Sequence, residues 1–342
     1  MDVTRTQVEQ NPAPDALAHE RALESYAGRM PPARPARTLL GAFARTCRFD
    51  AALAAVTPVI AVSTVAWWQF GRIDIVVLLF AVAAGFGAAL GVQLLTEHND
   101  RLRAAAPHVR SALRTAGHAD TAARAPDLHL GEIKSLGYIS LLISVLCHLW
   151  LGLLVGWPML LFGGVALLMT WGYATKPINY AQWGFGLGES GLFLALGLVP
   201  AVGAYYGQTG ALDPLAVWSA VPFAMLGSLI MIAHGLMFDR RDWLIRKRTL
   251  AVQMGRPRTL DFSAVLLIGA FVFVVFAAIV TDLPLRTMTA LLGLPVATSA
   301  FAQIDREELP PTQSARLYTA AIHATLATSL LYTLALLTAG IG

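Results

Sequence analysis

The sequence predicts an all-α integral membrane protein. Of its 342 residues, 56% are hydrophobic and only 13% are charged, and the mean hydropathy is +0.60. An ordinary soluble domain carries about 25% charged residues. The apolar residues are gathered in runs close to the ~20 residues that a helix needs to cross the hydrocarbon of a bilayer. Composition and patterning together exclude a soluble globular domain.

Nine apolar runs of this kind follow one another along the chain. They cover residues 51–69, 73–95, 136–155, 158–174, 186–206, 214–237, 260–281, 284–302 and 316–340. We therefore predict nine transmembrane helices in one membrane domain, residues 49–342. The first 48 residues are rich in Ala, Pro and Arg and contain no apolar run. We predict that this cytoplasmic tail is disordered.

The basic residues indicate how the chain lies in the membrane. All of the 25 lysines and arginines except Arg72 and Arg286 fall in the tail or in the longer loops between the runs. The positive-inside rule assigns these segments to the cytoplasm. We expect a multi-pass protein of the cell (inner) membrane, with a cytoplasmic N-terminus and an external C-terminus. The net charge of +4 then reflects topology and contact with anionic membrane lipid, and it does not indicate a nucleic-acid partner.

One stretch, residues 234–255, concentrates charged side chains at the end of an apolar run. It reads HGLMFDRRDWLIRKRTLAVQMG. Asp239 and Asp242 are three residues apart, a spacing that places both carboxylates on one face of a helix. Carboxylates beside several cations suit a phosphorylated group bridged through Mg²⁺. The alternative is a solvated basic loop with two ordinary surface aspartates.

A second stretch of the same character follows the second apolar run. It reads GVQLLTEHNDRLRAAAPHVR and contains Glu97, Asn99 and Asp100. Their side-chain oxygens are also suitable Mg²⁺ ligands, although Asn-Asp is in addition a common pair at helix ends. The histidines of this loop are spaced too widely for a zinc cluster. Cys47 and Cys147 are too far apart in sequence to suggest a metal site.

The end of the fourth run carries further polar residues. Tyr173 and Lys176 are three residues apart at the predicted cytoplasmic rim. Lys176 could contact a phosphate, or it could extend towards water as lysines at a membrane rim commonly do. Glu189 lies in the GFGLGES segment that opens the fifth run, where we expect it to cap the helix.

These segments resemble a known family. WLIRKRTLAVQMG looks like the second signature of the UbiA superfamily of intramembrane prenyltransferases. GLGESGLFLALGLVPAVGAYYGQTG resembles the fifth helix of the 1,4-dihydroxy-2-naphthoate polyprenyltransferase branch, which serves menaquinone synthesis. FDAALAAVTPVIAVSTVA resembles the first helix of the family. The resemblance covers about residues 49–342.

The resemblance implies a UbiA-type bundle of nine helices around a central cavity. It implies transfer of a polyprenyl group from a polyprenyl diphosphate to an aromatic acceptor such as 1,4-dihydroxy-2-naphthoate. Mg²⁺ would be held by Asp100, Asp239 and Asp242, with Lys176 as a further catalytic residue. The residues implied to contact the metal–diphosphate group are Asn99, Arg103, Tyr173, Lys247 and Arg248.

The sequence also departs from the family pattern. Arg103 and Pro107 stand where acidic residues of the first signature are usual, and Asp239 and Asp242 are one residue closer than in the usual second signature. Arg103 could replace part of the charge of Mg²⁺, Glu97 could substitute as a ligand, or catalysis could be lost. Two alternatives therefore stay open: another UbiA-type enzyme, such as a terpene cyclase or a transferase with an unusual acceptor, and a non-catalytic lipid-binding relative.

Overall fold

The computed structural model describes residues 46–107, 109–111, 128–302, 304–306 and 309–340, and within these ranges the chain forms helices and no strand. The predicted tail lies outside the described residues except for its last three. The helices are α1 (Phe49–Phe70), α2 (Ile75–Ala104), α3 (Leu130–Val155), α4 (Pro158–Ala174), α5 (Leu187–Thr209), α6 (Pro214–Met237), α7 (Asp239–Leu244), α8 (Leu250–Met254), α9 (Arg256–Val280), α10 (Leu294–Phe301) and α11 (Pro311–Thr338). Short 3₁₀ helices occupy Tyr180–Gln182 and Leu285–Gly293.

The ends of the helices follow from local chemistry. The Asp74 carboxylate accepts hydrogen bonds from the first backbone N–H groups of α2, and Asp213 does the same for α6. Such caps satisfy donors that the helix itself leaves unpaired. Gly71 ends α1 in the left-handed conformation, with φ of 67°, which glycine adopts without steric cost.

Several helices are long and apolar enough to cross a bilayer. Among the described residues there are seven of them: α1, α2, α3, α5, α6, α9 and α11. The protein is thus a multi-pass membrane protein, as predicted. The count of nine is not confirmed, because α4 has only 17 residues and the eighth predicted span divides into a 3₁₀ helix and the short α10.

One predicted boundary is wrong. α2 continues to Ala104, so that the polar stretch from Glu97 to Arg103 is helical and projects beyond the apolar run. Apolar run length underestimated this helix, because its terminal polar side chains find ionic partners at the end of the bundle. α6 ends at Met237 as predicted, and the loop after it contains the short helices α7 and α8.

Close packing of small residues brings α5 and α6 together beside the cavity of the bundle. The Cβ atom that an alanine would add at Gly197 would lie 2.5 Å from the Ala224 Cβ atom, so only glycine permits this approach. Gly197 belongs to a π-helical segment, Phe193–Leu198, inside α5. Irregular turns of this kind are frequent at functional sites. On the outer surface, large apolar side chains such as Leu153 and Ile279 are exposed, as expected for contact with lipid.

Candidate functional site

A cavity opens at the end of the bundle where α2 and α6 terminate. Its wall is mostly apolar and includes Phe223, Ile230 and Met231. Its polar end is formed by Arg48, Asp100 and Lys247 together with neighbouring groups of α2. An apolar chamber with a charged mouth can hold a ligand that carries a charged head on a hydrocarbon chain.

Asp100 joins the two polar stretches of the sequence at this mouth. Its Oδ2 atom accepts a hydrogen bond from Lys247 Nζ at 2.9 Å and another from Arg241 Nη2 at 3.0 Å. Asp100 and Lys247 are each only 3% exposed. A buried charge is costly unless it is paired and hydrogen-bonded, and here one carboxylate is held by two cations.

Arg241 extends this network to a second carboxylate. Its Nη2 and Nε atoms lie 3.1 and 3.3 Å from Asp242 Oδ1, so the guanidinium bridges Asp100 and Asp242. Asp242 is fully buried, and no hydrogen-bond partner for its Oδ2 atom is found in the described part of the chain. Burial raises the pKa of Asp242, because the opposing effects of Lys247 and Arg241 offset the desolvation only in part.

The Asp239 carboxylate does not join the cluster that Arg241 forms with Asp100 and Asp242. Its carboxylate is paired with Arg256, with Nε–Oδ2 at 2.6 Å and Nη2–Oδ1 at 3.0 Å. Although Asp239 and Asp242 share the short helix α7, they therefore have separate partners. The described ranges hold no group of three or more His, Cys, Asp or Glu side chains arranged to bind a metal.

The other predicted site residues divide between the cavity and its surroundings. Tyr173 is buried and lines the cavity. The Asn99 side chain donates to the Ala174 carbonyl at 2.6 Å and so connects α2 to α4. Lys176 and Arg248 are exposed at this end of the bundle.

Arg103 lies beside a shallow hollow that Asp100 and Lys247 also line. Its guanidinium donates to the side-chain oxygens of Asn179 and Gln182, in the amide orientation that the surrounding donors favour. Arg103 thus adds positive charge next to the Asp100 pair, at the position where the resemblance leads one to expect a carboxylate.

The signature segment positions Lys247 through contacts with the start of α5. Leu250 N–H donates to Glu189 Oε1 at 3.0 Å, and Phe185 N–H donates to Gln253 Oε1 at 2.6 Å. Glu189 therefore caps α8 rather than only its own helix. These bonds fix the backbone that follows Lys247 and hold its ammonium group at Asp100.

Some residues of the site were missed from the sequence. Arg48 lines the cavity, and its guanidinium lies 5.5 and 5.3 Å from the ring centroids of Phe238 and Tyr318. Arg241 lies 4.2 Å from the Phe238 centroid. Such positions are typical of cation–π contacts. The sequence showed these arginines only as members of basic runs, without a signal that sets them apart.

The residues present can supply part of the ligand set that Mg²⁺ requires. Mg²⁺ is usually bound by one or two carboxylates, water and substrate phosphates. Asp100 and Asp242 are close enough to be bridged by one guanidinium, and Asp242 Oδ2 is a buried oxygen for which the described ranges provide no partner. Two carboxylates of this chain, completed by diphosphate oxygens, satisfy that requirement, whereas Asp239 is already neutralised by Arg256.

Exposed aromatic side chains surround this end of the bundle. Trp183, Phe185 and Trp243 are 55%, 87% and 47% exposed. They follow the ends of α4 and α6, next to the charged mouth. Aromatic side chains are enriched where membrane proteins cross the headgroup region.

Known proteins are similar to this chain in sequence. No protein-family model matches it. It is 27% identical over 207 residues to 1,4-dihydroxy-2-naphthoate octaprenyltransferase of Mycobacterium tuberculosis, which covers 60% of this chain and 67% of the relative. It is 26% identical over 226 residues to the protein of the same name from Escherichia coli K12, which covers 64% of this chain and 70% of the relative.

Solved structures show the same fold. A UbiA homolog from Archaeoglobus fulgidus bound to GPP and Mg²⁺ superposes with a TM-score of 0.54 at 12% identity, over 85% of this chain and 99% of that chain. The structure of a digeranylgeranylglyceryl phosphate synthase gives 0.52 at 13% identity, over 86% and 95% of the two chains.

Proposed function

We propose that this chain, whose sequence relatives and fold are those of the UbiA-type prenyltransferases, transfers a polyprenyl group from a polyprenyl diphosphate to an aromatic acceptor. The observation that carries the proposal is the buried cluster of Asp100, Lys247 and Arg241 at the mouth of an apolar cavity. A diphosphate head matches the cations there, and a polyprenyl chain matches the apolar wall.

Three cations of the chain can meet the diphosphate at the cavity mouth. Lys247 and Arg48 line the cavity, and Arg241 is paired with Asp100, which lines it too. Charge-assisted hydrogen bonds from these groups stabilise the negative charge that develops on a departing diphosphate. Asp100 and Asp242 are the residues that would hold Mg²⁺, which would supply further charge neutralisation for this leaving group. Arg103, Lys176 and Arg248 stay predicted diphosphate contacts.

The reaction requires little covalent chemistry from the protein. The allylic carbon–oxygen bond breaks, and the diphosphate leaves with the electron pair. A ring carbon of the acceptor forms the new carbon–carbon bond and then loses its former substituent as a proton, or as CO₂ where that carbon bears a carboxylate. The chain contributes position and a dry, charged environment. The Tyr173 and Phe223 rings in the wall can stabilise an allylic cation through their faces.

The acceptor that we propose is 1,4-dihydroxy-2-naphthoate, as in the names of both sequence relatives. The product would be a prenylated naphthoquinone precursor. Isolated diphosphate release, as in a terpene cyclase, and lipid binding without turnover remain the competing functions.

We also propose that the membrane domain has nine crossings, with α4 and the segment of residues 285–301 as the shorter two. A helix of 17 residues is about 26 Å long, close to the ~30 Å hydrocarbon thickness. The charged mouth would then face the cytoplasm, with the N-terminus on the same side and the C-terminus outside.

Purified protein in lipid nanodiscs, incubated with radiolabelled polyprenyl diphosphate, tests the function. Formation of a prenylated product, with or without loss of CO₂, only when 1,4-dihydroxy-2-naphthoate is present is the expected result. Release of diphosphate without acceptor would instead indicate a cyclase or hydrolase. Retention of unchanged polyprenyl diphosphate, with no product under either condition, would overturn the enzymatic assignment in favour of lipid binding.

A further inference from the structure

A stripe of polar side chains runs along α2 inside the cavity. Gln93, Thr96, Glu97 and Asp100 all line the cavity wall. Positions i, i+3, i+4 and i+7 share one face of a helix. The stripe therefore extends from the charged mouth, at Asp100, into the apolar part of the chamber.

The two inner members of the stripe lack hydrogen-bond partners. Gln93 Oε1 and Thr96 Oγ1 are shielded from solvent, and the described part of the chain offers neither a partner. Buried polar atoms are nearly always satisfied, and leaving one unpaired is unfavourable. A threonine inside a helix commonly bonds to a carbonyl of the preceding turn, as Thr170 and Thr325 do here. Thr96 makes no such bond, and its side chain lines the cavity.

The chemistry of these atoms selects among the ligands of the cavity. A carboxamide oxygen accepts hydrogen bonds and cannot donate them. A polyprenyl chain has no donor, and an ionised diphosphate presents only acceptors, which also suit the cations at the mouth. The aromatic acceptor of the proposed reaction differs from both, because its ring hydroxyl groups donate.

We propose that Gln93 and Thr96 form the binding subsite for a hydroxyl group of the aromatic acceptor, an inference that rests on the proposed function. Gln93 lies seven residues before Asp100 on α2, which corresponds to about 10 Å along the helix axis. Thr96 is about one turn from Asp100. The acceptor ring then lies deeper than the diphosphate, between the apolar side chains of Val92 and Leu196.

The test uses substitutions that remove the polar atoms but keep the shape. Gln93→Met and Thr96→Val should each raise the KM for 1,4-dihydroxy-2-naphthoate about tenfold, the loss expected for a hydrogen bond inside a site. The KM for the polyprenyl diphosphate should stay unchanged. Folding should be preserved, since replacing an unpaired buried polar atom by an apolar one is neutral or stabilising, and thermal unfolding in detergent checks this.

Methyl ethers of the acceptor identify the hydroxyl that is bound. Wild-type protein should discriminate against the ether of one of the two hydroxyls of 1,4-dihydroxy-2-naphthoate by about tenfold. Gln93→Met or Thr96→Val should abolish that discrimination, because these variants no longer form the hydrogen bond to the acceptor hydroxyl. Binding of the diol, measured by calorimetry under reducing conditions, should weaken in parallel with the rise in KM.

Thr328→Val provides the matched control. Thr328 Oγ1 is also buried and has no partner among the described residues, but it lies on α11 outside the cavity wall, and its substitution should leave both KM values unchanged. If Gln93→Met and Thr96→Val turn over the diol with wild-type KM, or discriminate the ethers as wild type does, the subsite is refuted. If wild-type protein prenylates no naphthoate, the proposed function itself fails, and the two failures are thereby distinguishable.

Discussion

Lys247 and Asp100 are 147 residues apart in sequence, yet Lys247 Nζ lies 2.9 Å from Asp100 Oδ2, and both side chains are buried. This contact connects the projecting end of α2 with the loop that follows α6. Because Arg241 binds the same oxygen, the carboxylate organises two cations for an anionic ligand.

Removing one partner of this contact should destabilise the protein more than removing both. Asp100→Asn leaves Lys247 and Arg241 buried without their shared counter-charge, and loss of one member of a buried pair costs about 3–5 kcal/mol. We expect the double variant Asp100→Asn/Lys247→Met to recover part of this loss. Reversible unfolding in mixed detergent measures the free energies, and strictly additive single and double effects would contradict a buried ion pair.

The two aspartates of α7 should differ in their importance. Asp242→Asn should lower turnover at least about 100-fold, since Arg241 joins Asp242 to Asp100 at the cavity mouth and Asp242 Oδ2 has no partner in the described part of the chain. Asp239→Asn should stay within about threefold of wild type, since Asp239 bonds to Arg256 away from the cavity. Steady-state kinetics on both variants decides this, and an equal loss in the two would support Asp239 as a metal ligand beside Asp242.

Arg241 should compete with a divalent cation for the carboxylates that it bridges. Arg241→Gln removes a positive charge from between Asp100 and Asp242, so Mn²⁺ should bind about tenfold more tightly in the absence of diphosphate. Electron paramagnetic resonance of free Mn²⁺ measures the affinity without any turnover. The exposed neighbour Arg240, changed to Gln, is the control. Equal affinities in wild type and Arg241→Gln would show that Mn²⁺ does not use these carboxylates.

The two ends of the bundle should be accessible from opposite sides of the membrane. A cysteine introduced at Leu212, which is exposed between α5 and α6, should react with an impermeant maleimide added to intact cells. A cysteine at Trp243, exposed at the charged end, should react only after permeabilisation. The native Cys47 and Cys147 are buried and should give little background. The opposite labelling pattern would place the charged mouth outside.

Apolar run length was sufficient to predict most of the fold. The helical membrane class is confirmed, as is the resemblance in sequence to 1,4-dihydroxy-2-naphthoate octaprenyltransferases and in fold to a UbiA homolog. Run length and the WLIRKRTLAVQMG segment could indicate both because they are local properties of the sequence. The span count could not be settled in this way. Residues 285–301 are apolar enough to suggest a crossing, but their division into 3₁₀ and α segments depends on packing against α11.

The candidate site could be predicted only in part. Asp100 and Lys247 were identified because their segments carry the family resemblance. The partnership of Asp239 with Arg256 was not foreseeable, because residue spacing specifies a helix face but not the tertiary partner. Gln93 and Thr96 could have been found, since their spacing from Glu97 and Asp100 at the end of the second apolar run is itself a signal of one polar face.

The exposed rings of Trp183, Phe185 and Trp243 have a consequence for how a substrate arrives. Rings of this kind settle at the level of lipid headgroups, so the neighbouring mouth lies at the same depth. A polyprenyl diphosphate dissolved in the bilayer keeps its head at that level and its tail in the hydrocarbon. Under the proposed function, the membrane would align the donor before any contact with the protein, and diffusion in two dimensions would be sufficient to deliver it.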